Sequence, residues 1–339
     1  MINIKSKQEL EKMRAAGKIT GLALVEISKH IKPGVTTAQI DKIAYDFIRK
    51  HGAEPSFLNY NGFPASICAS VNDSVVHGIP SKDIVLKEGD IVTIDVGANI
   101  YGYHGDAART YAVGKISEEA QRLIDVTKRS FFEGIKCAKH GGRLGDISYA
   151  VQEYVEKNGY SVVRDLVGHG IGREMHEDPS VPNYGTKGKG VKLAQGMVLA
   201  IEPMVNAGRY DVVVLDDDWT VVTEDGSLSA HYENTVAITR GEPEILPSMM
   251  RCNMDIVTGS AVYSRAGRDK GCLFIVLSVQ DGYVYMSDGS KRKLSNPKKK
   301  KIKHLNRTNF VSDEIANAIK QGIIEDYMIR KALAELKPI

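Results

Sequence analysis

The segment KPGVTTAQIDKIAYDFIRKHG, residues 32–52, returns in outline 107 positions later as KHGGRLGDISYAVQEYVEKNG, residues 139–159. No gap is needed. Gly34 meets Gly141, Ile40 meets Ile147, Phe47 meets Tyr154, Lys50 meets Lys157 and Gly52 meets Gly159. Each copy reads as a glycine turn, an amphipathic run and a glycine stop, the pattern of a bounded helix. The same offset carries Leu86, Gly89, Ile94 and Asp95 onto Leu193, Gly196, Ile201 and Glu202. Two glycine-bounded helices can match this well by chance. One offset serving helices and strands alike instead predicts a duplicated helix–helix–strand unit. It puts Asp95 and Glu202 at equivalent positions of two half-domains, which a pseudo-two-fold axis would bring together.

Working outward, Ser6-Lys7-Gln8-Glu9 is a capping box that starts a first helix, and Pro33-Gly34 is its expected stop. A second helix runs from Thr37 to Gly52, a third over about 118–139, and a fourth over about 146–157. Residues 90–96 read as a strand, with residues 102–112 as its partner. A turn centred between Ile100 and Tyr101 sets Asp95 directly opposite Asp106, on one face. Like charges so placed destabilise a hairpin unless a cation lies between them. The alternative is that one of them is a solvated strand-edge charge.

Further acids join this pair. Glu202 ends the apolar run Val198-Leu199-Ala200-Ile201, where a carboxylate is costly without a partner. Glu233 precedes the strand-like residues 236–239, and His169 sits in Gly168-His169-Gly170-Ile171-Gly172, whose glycines allow a ligand close to the backbone. Four carboxylates and one imidazole suit Mn, Fe, Co or Zn. Four acids also suffice to bridge two such ions. His77 and His176, taken alone, read as surface or core histidines, as do His30, His51, His140 and His304. His104 and His231 lie near the site motifs, with no role assigned.

The order His77, Asp95, Asp106, His169, His176, Glu202, Glu233 resembles that of type I methionine aminopeptidases. So do the strings Val76-His77-Gly78-Ile79-Pro80, His104-Gly105-Asp106 and Ile201-Glu202-Pro203. The resemblance spans residues 1 to about 248 and implies the α/β pita-bread fold, whose internal pseudo-symmetry suits the repeat. It implies two divalent metal ions (Co, Mn, Fe or Zn) on Asp95, Asp106, His169, Glu202 and Glu233, with Asp106 and Glu233 bridging. His77 and His176 match substrate-contacting histidines, and Glu202 the proton carrier. Tyr60, Phe63, Cys68 and Trp219 match the wall of a methionine pocket. Family members often carry Tyr at Phe63 and Phe at Met175; both changes keep an apolar lining. The implied reaction removes the N-terminal methionine of nascent chains when the next residue is small. A proline-specific relative would carry a large extra N-terminal domain, and a metal-free binding protein would lack ligand positions that are intact here.

Beyond a linker at residues 241–248, short β runs at 261–264, 273–279 and 283–286 are joined by glycine turns, Asp281-Gly282 among them. Ser312-Asp313 caps a short helix to Gly322, and a last helix runs to about Glu335. Gly259-Ser260-Ala261-Val262 with residues 266–271 resembles a KOW motif, which implies a small SH3-like barrel with a helical tail. From Lys291 to Arg307 there are nine basic residues and no acid. That strip is either a solvated tail or a phosphate-binding stripe for ribosomal or other RNA. A start near Met249-Met250 looks like a joined second reading frame. Residues 251–339 hold 17 basic against 9 acidic residues, while residues 1–250 hold 28 against 33. A basic tail on an acidic body predicts two modules, 1–248 and 249–339, with different partners.

The 339 residues are 42% hydrophobic and 26% charged, ordinary for a globular protein. No stretch approaches a membrane span, and the N-terminus enters a helical pattern directly. Cys68, Cys137, Cys252 and Cys272 form no Cys-x-x-Cys pair and are expected to be free thiols. The expectation is a cytoplasmic enzyme with a monomeric catalytic module.

Overall fold

The computed structural model describes residues 2–247, 256–280, 282–334 and 336. The chain divides into two compact units, 1–250 and 251–339. Four helices frame the first: α1 (Lys7–Ser28), α2 (Thr37–Lys50), α3 (Glu118–Ile135) and α4 (Leu144–Lys157). Ser6 and Glu9 form the reciprocal capping box. However, α1 ends at Ser28, short of Pro33-Gly34, and α3 ends at Ile135, short of Gly141. The cause is the same in both cases. Gly34 N–H donates to Leu86 O at 2.8 Å, and Gly141 N–H to Leu193 O at 2.9 Å, so each glycine opens the next turn instead of closing the helix.

The 107-residue repeat is built into the backbone hydrogen bonds. Leu86 N–H donates to Val35 O, as Leu193 N–H does to Gly142 O. Thr37 N–H donates to Ile84 O, as Leu144 N–H does to Val191 O. The bridges Thr36 to Val85 and Arg143 to Lys192 obey the same offset. Two equivalent helix pairs thus each cover a sheet. Ala23, Leu24 and Ile27 of α1 and Ile40, Ala44 and Ile48 of α2 are buried with Ile67, Val92, Ile94 and Val96. Phe131, Leu144 and Ile147 of the second pair are buried with Leu199, Ile201 and Val236.

The first sheet centres on Ile91–Ile100, hydrogen-bonded to Ile67–Val71 and Tyr103–Ala112. The second runs Glu244–Ile245, Asn234–Ala237, Val198–Ile201, Gly168–Gly170, Glu177–Val181. They meet where Glu233 N–H donates to Ala108 O at 3.0 Å and Asp106 N–H to Thr235 Oγ1 at 2.9 Å. This seam carries the acids.

Two expectations change. Asp95 pairs with Ala108, and Asp106 with Gly97, because the hairpin turns at Tyr101-Gly102. Both turn residues have positive φ, 57° and 73°, as a type I′ turn requires. The shift is an even number of positions, so the two aspartates still share a face, now diagonally. The expected linker is partly structured. Glu244–Ile245 pairs with Val236 and Ala237, Leu246 is buried, and Glu244 holds Arg14 through two hydrogen bonds of 2.7 Å. Residues 241–247 therefore complete the first unit. Ser248, Met249-Met250 and Cys252 lie outside the described residues; Cys68, Cys137 and Cys272 are free.

The second unit holds a five-stranded antiparallel sheet in the order Lys298–Lys301, Tyr283–Ser287, Leu273–Gln280, Ser260–Ser264, Leu305–Val311. Val262, Phe274, Val276, Val284 and Met286 are buried together. Helices α5 (Asp313–Gln321) and α6 (Asp326–Ala334) contribute Ile315, Ile329 and Leu333 to a second cluster with Ala261 and Ile275. Ser312 caps α5, and Gly322 ends it with φ 72°. Asp281 lies outside the described residues, while Gly282 has φ 76°. No helix among the described residues is long and apolar enough to cross a membrane.

Candidate active site

A cavity of about 530 Å³ opens over the seam. All the residues singled out from sequence line it: Asp95, Asp106, His169, Glu202 and Glu233; His77 and His176; Tyr60, Phe63, Cys68 and Trp219. The acids arrive from equivalent places. Asp95 lies in the central strand of the first sheet, and Glu202 directly follows Val198–Ile201 of the second. Asp106 lies in the partner strand Tyr103–Ala112, and Glu233 directly precedes Asn234–Ala237, where the two sheets meet.

One ligand-type atom each of Asp106, His169 and Glu233 lies within 4.8 Å of the others. His169 Nδ1 is 2.8 Å from Gly170 O, which can only accept, so Nδ1 carries the ring proton. Its Nε2 is then a bare lone pair. It faces Glu202 Oε1 at 3.6 Å and Asp106 Oδ2 at 3.9 Å, which are acceptors as well. Among the described residues, Asp95 Oδ1, Asp106 Oδ1 and Glu233 Oε1 have no hydrogen-bond partner. Burial pushes the Asp95 carboxyl up to about 7. Burial, and then the neighbouring acids, raise Asp106, Glu202 and Glu233 well above the usual carboxylate range. Burial also drives His169 down to about 3, which keeps it neutral. Acceptors facing acceptors out of water call for a cation.

The rim is aromatic. Tyr60 OH and His176 Nδ1 are 2.9 Å apart, and their rings stack at 5.3 Å. His176 also contacts His169, ring centroids 4.2 Å apart. Trp219 meets Phe63 edge-on at 5.1 Å and His77 at 6.5 Å. His77 has φ 58°, a left-handed conformation rare outside glycine. A side chain at the next residue, Gly78, would strike Ala69 O, so the strand Ile67–Val71 lies tight against this turn.

Sequence reasoning left some of the site unread. Leu166, Val167 and Met204 also line the cavity and look like ordinary core residues in the sequence. His231 is buried, 3.6 Å from Glu202 Oε2, and held neutral near pKa 3, chiefly by burial. Its position two residues before Glu233 was the available signal. His104 is bonded to Ser56 and Asn99. His51 is bonded to Phe47 O, and His140 accepts from Gln195 N–H.

Comparison with known proteins agrees with this geometry. A model of metallopeptidase family M24 matches residues 11–240. The methionine aminopeptidase of Clostridium acetobutylicum is 64% identical over 246 residues, which cover 73% of this chain and 98% of that protein. The crystal structure of methionine aminopeptidase from Rickettsia prowazekii superposes with a TM-score of 0.72 at 48% identity, over 73% of this chain and 100% of that one. Prolidase from Pyrococcus furiosus shares the fold at 24% identity, with a TM-score of 0.58 over 72% of this chain and 65% of that one. The chain belongs to metallopeptidase family M24, with that family's pita-bread fold, and is a metallo-aminopeptidase.

Proposed function

We propose that the first unit removes N-terminal methionine from newly made polypeptides, with a small residue preferred next, and that it does so with two divalent metal ions. The supporting observation is the cluster at the seam: ligand-type atoms of Asp106, His169 and Glu233 within 4.8 Å of one another, the His169 Nε2 lone pair facing Glu202 and Asp106, and buried oxygens of Asp95, Asp106 and Glu233 without hydrogen-bond partners. This donor set fits Mn, Fe, Co or Zn. Asp95, Asp106, His169, Glu202 and Glu233 would hold the ions. Bound there, the metals supply Lewis acidity and bring the pKa of a water toward about 7.

The protein's own groups do the rest. Glu202 has a raised pKa and one oxygen near His231, so it is suited to take a proton from the attacking water and return it to the leaving amine. Burial keeps the Tyr60 hydroxyl protonated, and by donating to Nδ1, 2.9 Å away, it would leave the His176 proton on Nε2. From there His176 can donate to the oxygen of the scissile carbonyl as charge develops on it. His77 steadies the same peptide. Tyr60, Phe63, Cys68 and Trp219 receive the first side chain, and a thioether packs well against rings.

The test is chelation. Stripped enzyme should not hydrolyse Met-Ala-Ser, and added Mn, Co or Fe should restore turnover, with metal content approaching two per chain. Full activity after verified removal overturns the metal role. Cleavage of Xaa-Pro peptides in preference to Met-Ala-Ser overturns the substrate assignment in favour of a prolidase-like one.

We also propose that residues 249–339 form a KOW-like, SH3-like barrel that tethers the cytoplasmic, monomeric enzyme to ribosomal or other RNA. The supporting observations are the antiparallel sheet and the nine basic residues between Lys291 and Arg307. The full chain should co-sediment with ribosomes at low salt and leave them as salt rises.

A further inference from the structure

The basic run that sequence treats as one strip is divided by the structure into two faces. Along Lys298–Lys301 the side chains alternate, as strand geometry demands. Lys298 forms an ion pair with Asp269 at 3.0 Å, and Lys300 donates to Ser264 Oγ and Ala266 O. Their cross-strand neighbours are Met286 and Val284, both fully buried. These two lysines are engaged within the unit. Lys299 and Lys301 point the other way and are exposed. They lie opposite Tyr285 and Tyr283. Lys299 Nζ sits 4.6 Å from the Tyr283 ring centre and 5.4 Å from that of Tyr285, and Lys301 Nζ 5.6 Å from that of Tyr283. The rows continue into uncharged Ser278, beside Tyr285, and Gln280, beside Tyr283.

We propose that this face of Tyr283, Tyr285, Lys299 and Lys301 is a stacking platform for unpaired RNA. The proposal rests on the RNA-tether reading and narrows it from RNA in general to single strands. The spacing supports a single strand. Two residues along a strand separate the rings by about 7 Å. That is about twice the 3.4 Å repeat of stacked bases within a duplex. Rings so spaced cannot each meet a base of an intact helix, whose faces are already covered. They suit bases splayed along an extended strand, with the lysines matched to its phosphates.

The test uses the full chain, a 15-nucleotide oligouridylate and an RNA duplex of the same length, with binding followed by anisotropy across a salt series. The single strand should bind more tightly. Changing both Tyr283→Val and Tyr285→Val should weaken oligouridylate binding at least tenfold with little change in salt slope. Changing both to Phe should leave it near wild type. Lys299→Gln with Lys301→Gln should flatten the slope of log K against log[salt] by about 0.7 per lysine. Lys298→Gln with Lys300→Gln should change that slope less. Duplex binding as tight as single-strand binding overturns the platform while leaving the tether intact. So does loss of the slope change with the tyrosine pair irrelevant. Binding to neither probe overturns the tether and the platform with it.

Discussion

Removing the metals should cost the first unit more stability as pH rises, and one part of that cost follows from Asp95. Burial raises its carboxyl from 3.8 to about 7. Between those values the folded protein keeps a proton that the unfolded chain has released. Asp95's contribution to the metal-free protein is therefore complete below about pH 4 and declines as pH approaches 7, while His169 and His231, driven down to about 3 by burial, act in the opposite direction. One pKa unit corresponds to about 1.4 kcal/mol. Between about pH 5 and about pH 7, Asp95 alone costs about 2 kcal/mol. Asp106, Glu202 and Glu233 are raised in the same direction and add to this loss. For a unit of this size, about 2 kcal/mol lowers Tm by about 4–8 °C. Loaded protein should behave oppositely, since divalent ions bind the deprotonated groups and bind them better as protons leave. Trp219 is the single tryptophan and lines the cavity, so its fluorescence follows this unit. Thermal melts of chelator-stripped and Mn-loaded protein should diverge steadily from pH 5 to pH 7. Identical slopes for the two forms would refute the reasoning.

Replacing His176 with Ala should lower kcat by about 10²–10³ while metal content stays at the wild-type level, because an oxyanion donor is lost and no ligand is; metal loss on elemental analysis would reclassify the residue. Tyr60→Phe keeps the stacked ring but removes the hydroxyl 2.9 Å from His176 Nδ1. It should reduce kcat with little change in KM, and ¹⁵N spectra of the ring should show a mixed tautomer; an unchanged tautomer and rate would detach Tyr60 from catalysis. Cys68→Ala or Trp219→Ala should narrow the ratio of kcat/KM between methionine and leucine peptides by an amount equivalent to about 1–3 kcal/mol, and unchanged ratios in both would remove these residues from the pocket. Leu246→Ala should destabilise the first unit by about 2–5 kcal/mol in denaturant melts, since the side chain is 2% exposed. A cost near zero would return residues 241–247 to the status of a linker.

Much of this could be read along the chain. Ser6 with Glu9, and the glycines at 52 and 159, announce helix ends through local chemistry. The helix ends themselves were misplaced at Pro33-Gly34 and Gly141, because Gly34 and Gly141 donate to Leu86 O and Leu193 O, more than 50 positions away. The hairpin register was misjudged because Tyr101 occupies a left-handed turn position that its own type does not advertise. The edge pairing of Glu244–Ile245 escaped notice for a related reason: two prolines mark a linker locally, but one short strand suffices to close a sheet.

Sequence alone determined the identity of the acids and histidines, the repeat that relates Asp95 to Glu202, and the charge contrast between the two units. These reside in residue type, periodicity and spacing. Tertiary structure alone decided which groups face one another. The His169 lone pair turns toward Glu202 and Asp106 because Gly170 O claims the other ring nitrogen. Lys298 and Lys300 are bound inward while Lys299 and Lys301 lie over tyrosines, because a strand sends successive side chains to opposite faces and only the packed sheet defines which face is interior.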